Sequence, residues 1–199
     1  MDLLRNTLQV ICDQANSYLN NIDHRSDDWV VLTSTVDHDG SLNQYTRNKI
    51  VMSVYNITRE AFSSSYIPVQ PNRSGNGATE GLPVVSPPLY LNIHLMFMAN
   101  FTELSYPDGL AALSRLISFF QQKRVFTPQN APDLAREIDK LTMDIENLPP
   151  VDVNYVMSML GTRYLPSAFY KLRMVPFASS AMLERSYPVT SSDATVAAL

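Results

Sequence analysis

The sequence is poor in cysteine, in glycine and in charge. Cys12 is the single cysteine among 199 residues, which excludes an intrachain disulfide and a cysteine-rich metal site. Charged residues make up 17% of the chain and the formal net charge is -4, below the charged quarter that is usual for soluble domains. The longest basic run is Lys123-Arg124. The chain therefore has no cluster of basic residues that could neutralise a row of phosphates, and we expect no nucleic-acid partner.

Long apolar runs are also missing. The longest window without charge, residues 81–102, contains Pro83, Pro87, Pro88 and His94, which a membrane-spanning helix would not carry at its centre. The first residues lack the basic and then apolar order of a signal peptide. We therefore expect no membrane segment and a protein that is made and kept in the cytosol. Hydrophobic residues make up 45% of the chain, enough for one domain with a real core.

Helical periodicity is present in three segments. Apolar residues recur at spacings of three and four within residues 2–21, 105–124 and 150–160. The second segment opens with the S-x-x-D pattern of a capping box at Ser105, with a proline inside its first turn. The third is followed by Gly161, a residue suited to end a helix. The sequence therefore predicts three helices.

Strand patterns fill the spaces between the helices. Alternating or β-branched segments predict strands at residues 29–36, 50–57, 89–98, 141–146 and 169–175. In residues 89–98 the odd positions are aliphatic or aromatic and the even positions are mixed, so one face of that strand is fully apolar. The order of helices and strands predicts an α+β, or mixed α/β, domain in which a central mixed sheet is flanked by helices.

Prolines outnumber glycines, 13 against 6, and five of them lie in residues 58–88. That segment has no usable period, and a loop of such length in a compact domain is usually functional or disordered. Residues 179–199 are weakly patterned and rich in Ser, Thr and Ala. We predict one domain over residues 1–178 with a long variable loop at about 58–88. The tail, residues 179–199, is predicted to be flexible or ordered on assembly.

Two motifs suggest ligand sites but fail in detail. Residues 75–81 have the glycines of a dinucleotide loop, yet the third glycine comes one position late and no strand precedes the motif. Residues 37–40 begin like a calcium loop, but Leu42 and Asn48 stand where a glycine and a bidentate acid are needed. A flexible loop and a hairpin turn are the better interpretations, and the Asp-Gly ending of the second motif is a turn signal.

The candidate nucleophiles and metal ligands are isolated. His24, His38 and His94 have no partner at a helical spacing of four. Cys12 lies beside the apolar stripe of the first helix, where a buried and inert thiol is expected. The chain has no G-x-S-x-G elbow. From the residues alone we therefore predict no catalytic residues, no cofactor, no metal site and no enzyme.

Three segments in order resemble one family of proteins. They are residues 50–60 (IVMSVYNITRE), residues 87–99 (PPLYLNIHLMFMA) and residues 160–172 (LGTRYLPSAFYKL). They resemble the N-terminal domain of cap, or tail-terminator, proteins of phage-tail-like contractile injection systems of the antifeeding-prophage and virulence-cassette type. The resemblance covers about residues 1–178. The family often has tryptophan where this chain has Met157, and longer members continue into an added C-terminal region.

The resemblance implies a structural role. It implies a homo-oligomeric ring, expected to be a hexamer, on the end of the inner tube distal to the baseplate. There the ring would end the polymerisation of tube and sheath and link the two. The implied partners are further copies of the chain, the inner-tube protein and the sheath protein. Assembly in the cytoplasm of a bacterium would be followed by a place in a phage-tail-like particle, either released or attached to a membrane.

The predicted loop and tail are where we expect contact with tube, sheath or a neighbouring subunit. The tail could pair with an adjacent subunit or a sheath strand by edge addition, and the loop could order on assembly. The candidate interface residues are Ser63, Tyr66, Pro68, Arg73, Glu80, Pro83, Ser179, Met182 and Tyr187.

Two alternatives stay open at the level of sequence. One is a baseplate or adaptor ring subunit of the same kind of particle, because such rings share folds. The other is a small-molecule-binding domain or an enzyme. It would use the polar face of the 89–98 strand, where Tyr90, Asn92 and His94 lie together.

Overall fold

The structure of the protein is a computed structural model. It describes residues 2–37, 40–41, 43–60, 82–85, 89–101, 103–177 and 182–186, and it describes the backbone alone at 82–85, 182–186, 103, 174 and 177. The chain divides into two compact units. The first comprises Met1–Glu60 and Tyr90–Pro176, and the second Ala61–Leu89 and Phe177–Leu199.

The described residues contain helices, two short 3₁₀ turns and strands. The helices are α1 (Leu3–Ile22), α2 (Tyr106–Gln122) and α3 (Pro150–Met159), and the 3₁₀ turns are Gln44–Thr46 and Glu103–Ser105. The strands are β1 (Val30–Leu32), β2 (Lys49–Arg59), β3 (Leu82–Val85), β4 (Leu89–Asn100), β5 (Val125–Phe126), β6 (Leu141–Ile145), β7 (Ser167–Phe177) and β8 (Met182–Ser186).

A six-stranded mixed sheet has the order β1-β2-β4-β7-β6-β5. The pair β1 and β2 is parallel, whereas β2 pairs with β4, and β6 with both β5 and β7, in antiparallel fashion. A bulge between Val54 and Asn56 shifts the register of β2 against β4. The predicted α+β class and the central mixed sheet flanked by helices are therefore confirmed.

One face of this sheet, here called the two-helix face, is covered by α1 and α2. Odd-numbered residues of β4, such as Ile93, Leu95 and Phe97, are fully buried there against both helices. Aromatic rings form the centre: Phe97 lies 5.1 Å from Phe120 and 5.7 Å from Tyr170 between ring centroids. Burial raises the pKa of Tyr170 to about 12. The alternation of apolar residues in the sequence of β4 places one face of this strand in the core.

The opposite face, here called the α3 face, has a smaller apolar cluster. Met96 and Met98 of β4 pack there with Val156 and Met157 of α3 and with Phe169 of β7. Met157 is buried. The α3 helix is only 10 residues long, and the strands of the sheet continue beyond this cluster.

The edge strand β1 is held by a side chain of α1. The Asn16 amide donates to the Val30 carbonyl and accepts from the Val30 N–H, both at 2.8 Å. Cys12 is buried beside it and its thiol donates to the same carbonyl at 3.3 Å. Burial raises the pKa of the Cys12 thiol to about 12, which disfavours the reactive thiolate. The predicted burial of this cysteine is confirmed.

Several predicted boundaries and one predicted cap need correction. The first strand, predicted over 29–36, ends at Leu32. The Thr33 N–H still donates to the Met52 carbonyl at 3.3 Å, but the Thr33 carbonyl accepts from the Ser53 hydroxyl at 2.7 Å. The capping box at Ser105 is wrong: this residue belongs to a 3₁₀ turn, its ψ is 9°, and its side chain makes no capping hydrogen bond. An N-cap needs extended backbone, which the 3₁₀ turn removes.

Two predicted turns are confirmed. Gly161 has φ of +67°, and the Thr162 N–H donates to the Met157 carbonyl at 3.1 Å, as expected where a glycine ends a helix. Gly40 has φ of +83° and its N–H donates to the Asp37 carbonyl at 2.9 Å, so the Asp-Gly ending does form a turn. His38 and Asp39 of this motif lie outside the described residues.

The second unit contains a two-stranded antiparallel ribbon of β3 and β8, in which Pro83 pairs with Arg185 and Val85 with Met182. The sequence predicted an irregular loop at 58–88 and a weakly patterned tail at 179–199, so both strands were missed. The two-residue strand β5 was missed as well. The described strand of the tail, β8, pairs with β3 of the same chain. Pairing of the tail with an adjacent subunit or a sheath strand stays a prediction. The predicted division at residue 178 stays a prediction.

No helix in the described part of the chain is both long enough and apolar enough to cross a lipid bilayer.

Candidate interaction surface

A polar network occupies the part of the α3 face that α3 does not cover. Glu146, which follows β6, lies at its centre. The Tyr55 hydroxyl donates to Glu146 Oε2 at 2.7 Å, His94 Nδ1 lies 2.8 Å from the same oxygen, and Lys171 Nζ is 3.4 Å from Oε1. Residues from β2, β4 and β7 thus converge on one carboxylate.

His94 is satisfied at both ring nitrogens. Its Nε2 lies 2.9 Å from the Thr58 hydroxyl, and only 8% of the residue is exposed. With one ring nitrogen facing Glu146 and the other facing Thr58, every polar atom of the side chain has a partner. Such a histidine joins β2 and β4 to the end of β6 and leaves no ring nitrogen for a ligand.

The network continues along β6 and β7 through alternating charges. Arg173 Nε lies 3.0 Å from Glu60 Oε2 and its Nη1 3.9 Å from Asp144 Oδ2, while Arg124 Nη2 is 2.6 Å from Asp144 Oδ1. The hydrogen bond from Arg173 to Glu60 raises the arginine pKa further. Opposite charges on neighbouring strands stabilise the register of the sheet.

Burial and hydrogen bonding compete at Glu146. Burial alone would raise the pKa of its carboxyl, but the hydrogen bonds from His94 and Tyr55, and the charges of His94 and Lys171, outweigh it and leave the pKa below its usual range. Burial, together with the hydrogen bond to Glu146 and the charge of that carboxylate, pushes the pKa of the Tyr55 hydroxyl above its usual range. Glu146 is therefore an ionised acceptor at neutral pH.

This geometry does not favour the proposed ligand site on the 89–98 strand. Three cavities lie among the residues that the structure describes, and none of these three is lined by Tyr90, Asn92 or His94. His24 lies exposed after α1, and His38 is outside the described residues. Among the residues that the structure describes, no three His, Cys, Asp or Glu side chains converge to hold a metal ion.

The outer side of α3 presents an apolar row to solvent. Val151, Tyr155 and Met159 follow one another at a spacing of four and are all more than 60% exposed. Residues four apart lie on one side of a helix, and here it is the side opposite Val156 and Met157, which are buried. The single charged residue of α3 is Asp152, in its first turn.

A groove runs beside this row, between α3 and the segment that leads into β7. Its volume is about 690 Å³, and Val153, Met157 and Phe169 line it. Tyr164, which is 74% exposed, and the exposed Arg163 stand at its rim. We call Val151, Tyr155, Met159 and Tyr164 the α3 surface.

A second exposed apolar set lies on α2 and the 3₁₀ turn before it. Leu104 is 97% exposed, and Tyr106, Leu110 and Ile117 are each more than a third exposed. We call these four residues the α2 surface. Contiguous exposed apolar side chains of this kind mark surfaces that a partner covers.

The predicted interface residues are not tested by this geometry. Ser63, Tyr66, Pro68, Arg73, Glu80, Ser179 and Tyr187 lie outside the described residues, while Pro83 and Met182 are described as backbone of β3 and β8. The α2 and α3 surfaces were missed. The sequence did contain a signal for the α3 surface. Val151, Tyr155 and Met159 form a second apolar row on this helix, beside the row that we had assigned to the core.

Comparison with known families decides the classification. Residues 2–191 match the model of the Pvc16 N-terminal domain. This chain belongs to the Pvc16 N-terminal domain family. The match covers both the sheet with its helices and the β3–β8 ribbon, so the predicted resemblance to cap and tail-terminator proteins is confirmed.

Solved structures share the Pvc16 N-terminal fold with this chain. One is the sheath/tube terminator of PVC, an extracellular contractile injection system, in its extended state: 15% identity, a TM-score of 0.62, and coverage of 98% of this chain and 63% of that one. Another is the tube-terminating cap of the anti-feeding prophage, at 15% identity and a TM-score of 0.58, with 96% of this chain and 60% of that one covered. No curated protein sequence matches this chain.

This chain therefore spans about three fifths of the length of each of these two structures. At 15% identity the likeness shows a common Pvc16 N-terminal fold, and the surfaces described above belong to this chain's own sequence.

Proposed function

We propose that this protein is a tail terminator of a contractile injection system. It would form a ring, expected to be a hexamer, at the end of the inner tube distal to the baseplate, where it ends the polymerisation of tube and sheath and links them. The role is structural and not enzymatic. The observation that carries the proposal is the family match over residues 2–191, together with a terminator and a cap as structural neighbours.

The surfaces of the molecule support an assembly role. A terminator subunit needs several partner-covered surfaces, and the chain exposes apolar rows on α2 and on α3. Its buried polar groups around Glu146 are instead paired with one another. Obligate interfaces are more apolar than the rest of a protein surface, which suits the low charge of this chain.

The partners and contacts belong to the same proposal. We propose the inner-tube protein, the sheath protein and further copies of this chain as partners, within a phage-tail-like particle. The loop and tail residues Ser63, Tyr66, Pro68, Arg73, Glu80, Pro83, Ser179, Met182 and Tyr187 remain our proposed contacts to tube or sheath.

Particle length tests the proposal. We expect particles made without this protein to carry tubes and sheaths of abnormal and variable length when measured by negative-stain microscopy, because polymerisation would lack its stop. Complementation with the wild-type gene should restore a narrow length distribution. Normal, uniform particles in the deletion strain would refute termination. A labelled copy found at the baseplate end would instead indicate a baseplate or adaptor subunit.

A further inference from the structure

The α3 helix is the least buried of the three helices that the structure describes. It has 10 residues, of which Val156 and Met157 are buried, whereas α1 buries nine residues and α2 buries six. A helix as short as α3 is marginal in water without packing. The stability of α3 therefore depends on the small cluster beneath it and on what fixes its ends to the sheet.

The connection from β6 to α3 is short and stiff. The strand ends at Ile145, Glu146 follows, and the helix begins at Pro150. Between them, Leu148 packs on the cluster of the α3 face, and Pro149 has φ of -64° and ψ of 153°. Two consecutive prolines restrict the backbone. The position of Glu146 therefore largely sets where α3 begins.

The side chain of Glu146 attaches this connection to several strands. Its backbone N–H donates to the Phe169 carbonyl of β7 at 2.8 Å. Its carboxylate extends the attachment to β2 through the Tyr55 hydroxyl, at 2.7 Å, and to β4 through His94 Nδ1, at 2.8 Å. Lys171 Nζ of β7 lies 3.4 Å from the other carboxylate oxygen. One carboxylate thus fixes the start of α3 relative to three strands.

The charged and titratable groups around Glu146 come from the strands and from α3 itself. In the described part of the chain, it contacts Tyr55, His94 and Lys171. The groups further along the network are Glu60, Arg124, Asp144 and Arg173. The helix contributes Asp152, in its first turn. The direct contacts of the carboxylate are therefore a hydroxyl donor, an imidazole and an ammonium group, which favour its ionised form.

We infer that Glu146 is an acid-sensitive anchor for α3, whose protonation lets this helix separate from the sheet while α1 and α2 stay folded. A neutral carboxyl group makes weaker hydrogen bonds than a carboxylate and forms no ion pair with Lys171. The helix then keeps only its small cluster, and segments with few buried contacts open first. The opening uncovers Met96 and Met98 of β4. This conformational change goes beyond the proposed function and does not depend on it.

The direction of the pH dependence follows from the contacts of Glu146. Burial raises the pKa of its carboxyl, but the hydrogen bonds from His94 and Tyr55 and the charges of His94 and Lys171 outweigh burial and keep the pKa below its usual range. Opening removes these contacts and returns the pKa to about 4.3. Protons therefore bind more tightly to the open form, and acid favours opening as the pH falls below about 4.3.

Amide hydrogen exchange tests the anchor. At pH 7 we expect Glu146→Gln, which keeps the shape of the side chain and removes its charge, to lower the protection factors of residues 154–159 about tenfold. Asp144→Asn is the matched control. It removes a carboxylate that pairs with Arg124 and Arg173 on the same sheet face, and it should leave these protection factors unchanged. Wild-type protection in Glu146→Gln, or an equal loss in Asp144→Asn, overturns the inference.

A substitution on the two-helix face separates local opening from unfolding of the whole domain. Ile11→Val removes a methylene group from the fully buried core under α1, which stays formed when α3 opens. We expect it to lower the protection of α2 residues 110–120 about fivefold and to leave that of residues 154–159 unchanged. An equal loss in both helices means that α3 exchanges only by global unfolding, and the inference is then wrong.

The pH series uses the same measurement. Between pH 5 and pH 3 the protection of residues 154–159, corrected for intrinsic exchange, should fall about tenfold in the wild type and much less in Glu146→Gln. The same pH dependence in both proteins overturns the inference.

Thiol labelling gives a second measurement at constant pH. Met157→Cys places a thiol on the buried side of α3, while the native Cys12 is buried under α1. At pH 7 we expect the introduced thiol to react with a maleimide at least a hundred times faster than Cys12, as read by peptide mass spectrometry. Adding Glu146→Gln should increase the rate at the introduced thiol about tenfold. Equal rates at the two thiols, or no effect of Glu146→Gln, overturn the inference.

Discussion

The two faces of the six-stranded sheet are built differently. On the two-helix face, α1 and α2 cover the strands with an aliphatic and aromatic core. On the α3 face, a 10-residue helix covers one part, and a network around Glu146 occupies the rest. The first face stabilises the domain through burial of apolar area. The second combines a smaller core, paired charges and the exposed apolar row of α3.

The strand β4 shows how one sequence produces both faces. Its odd residues are uniformly apolar and lie under α1 and α2. Its even residues change along the strand, from Asn92 and His94 beside the network to Met96 and Met98 under α3. We therefore expect substitutions on the two faces to lower the free energy of unfolding by different amounts.

The largest expected effect is the removal of an aromatic ring from the two-helix face. Phe97→Ala should lower the free energy of unfolding by about 3–5 kcal/mol, because the ring is fully buried among other rings and its loss leaves a cavity. Phe169→Ala, the matched change on the α3 face, should cost less, since Phe169 already lines a groove. Urea unfolding measures both. An equal or larger loss of unfolding free energy for Phe169→Ala would contradict the expected difference between the two faces.

The next effect is the loss of the central carboxylate of the network. Glu146→Gln should lower the free energy of unfolding by about 1–3 kcal/mol at pH 7, because Tyr55 and His94 would bond a neutral acceptor. The pKa of Glu146 is lowered in the folded state, so its stabilisation is present above the unfolded pKa of about 4.3 and is lost as pH falls through the folded pKa.

The sign of this pH dependence can be measured directly. The difference in unfolding free energy between wild type and Glu146→Gln should narrow as the pH falls below about 4.3. Glu137→Gln, at an exposed position, serves as the control and should show little difference at any pH. A wild-type advantage that stays constant down to pH 3 would refute the assignment of an ionised, hydrogen-bonded Glu146.

The smallest effect concerns the end of α3. Gly161→Ala should cost about 1 kcal/mol, because φ is +67° there and an alanine is strained in that conformation, while no atom lies within 4 Å of the added carbon. Thermal unfolding measures the change. A loss above about 3 kcal/mol would mean that the α3 face depends on this helix more than its small core suggests.

Much of the fold could be predicted from local pattern. The helices α1, α2 and α3 and the strand β4 were all indicated by periodicity over ten or more residues, and Gly161 by the conformation that only glycine adopts easily. The strands β3, β5 and β8 were missed because two to five residues carry too little pattern, and their pairing depends on distant segments.

The candidate surface was less predictable. The sequence pointed to the proline-rich segment and the tail, because irregular composition marks loops. It did not indicate the α2 and α3 surfaces, since Leu110 and Leu113 look alike in a helical pattern. One is exposed and the other is buried. Which apolar residue of a helix meets the sheet depends on how the helix packs.

The sequence by itself determined the three helices, the apolar side of β4, the buried setting of Cys12 and the family resemblance, because each depends on residues that are close together in the chain. The tertiary structure alone decided that Tyr55, His94 and Lys171 meet at Glu146, and that α2 and α3 pack on opposite faces of the sheet. These arrangements join residues up to 91 positions apart, and only the pairing of strands and the packing of helices on two sides of one sheet brings such residues together.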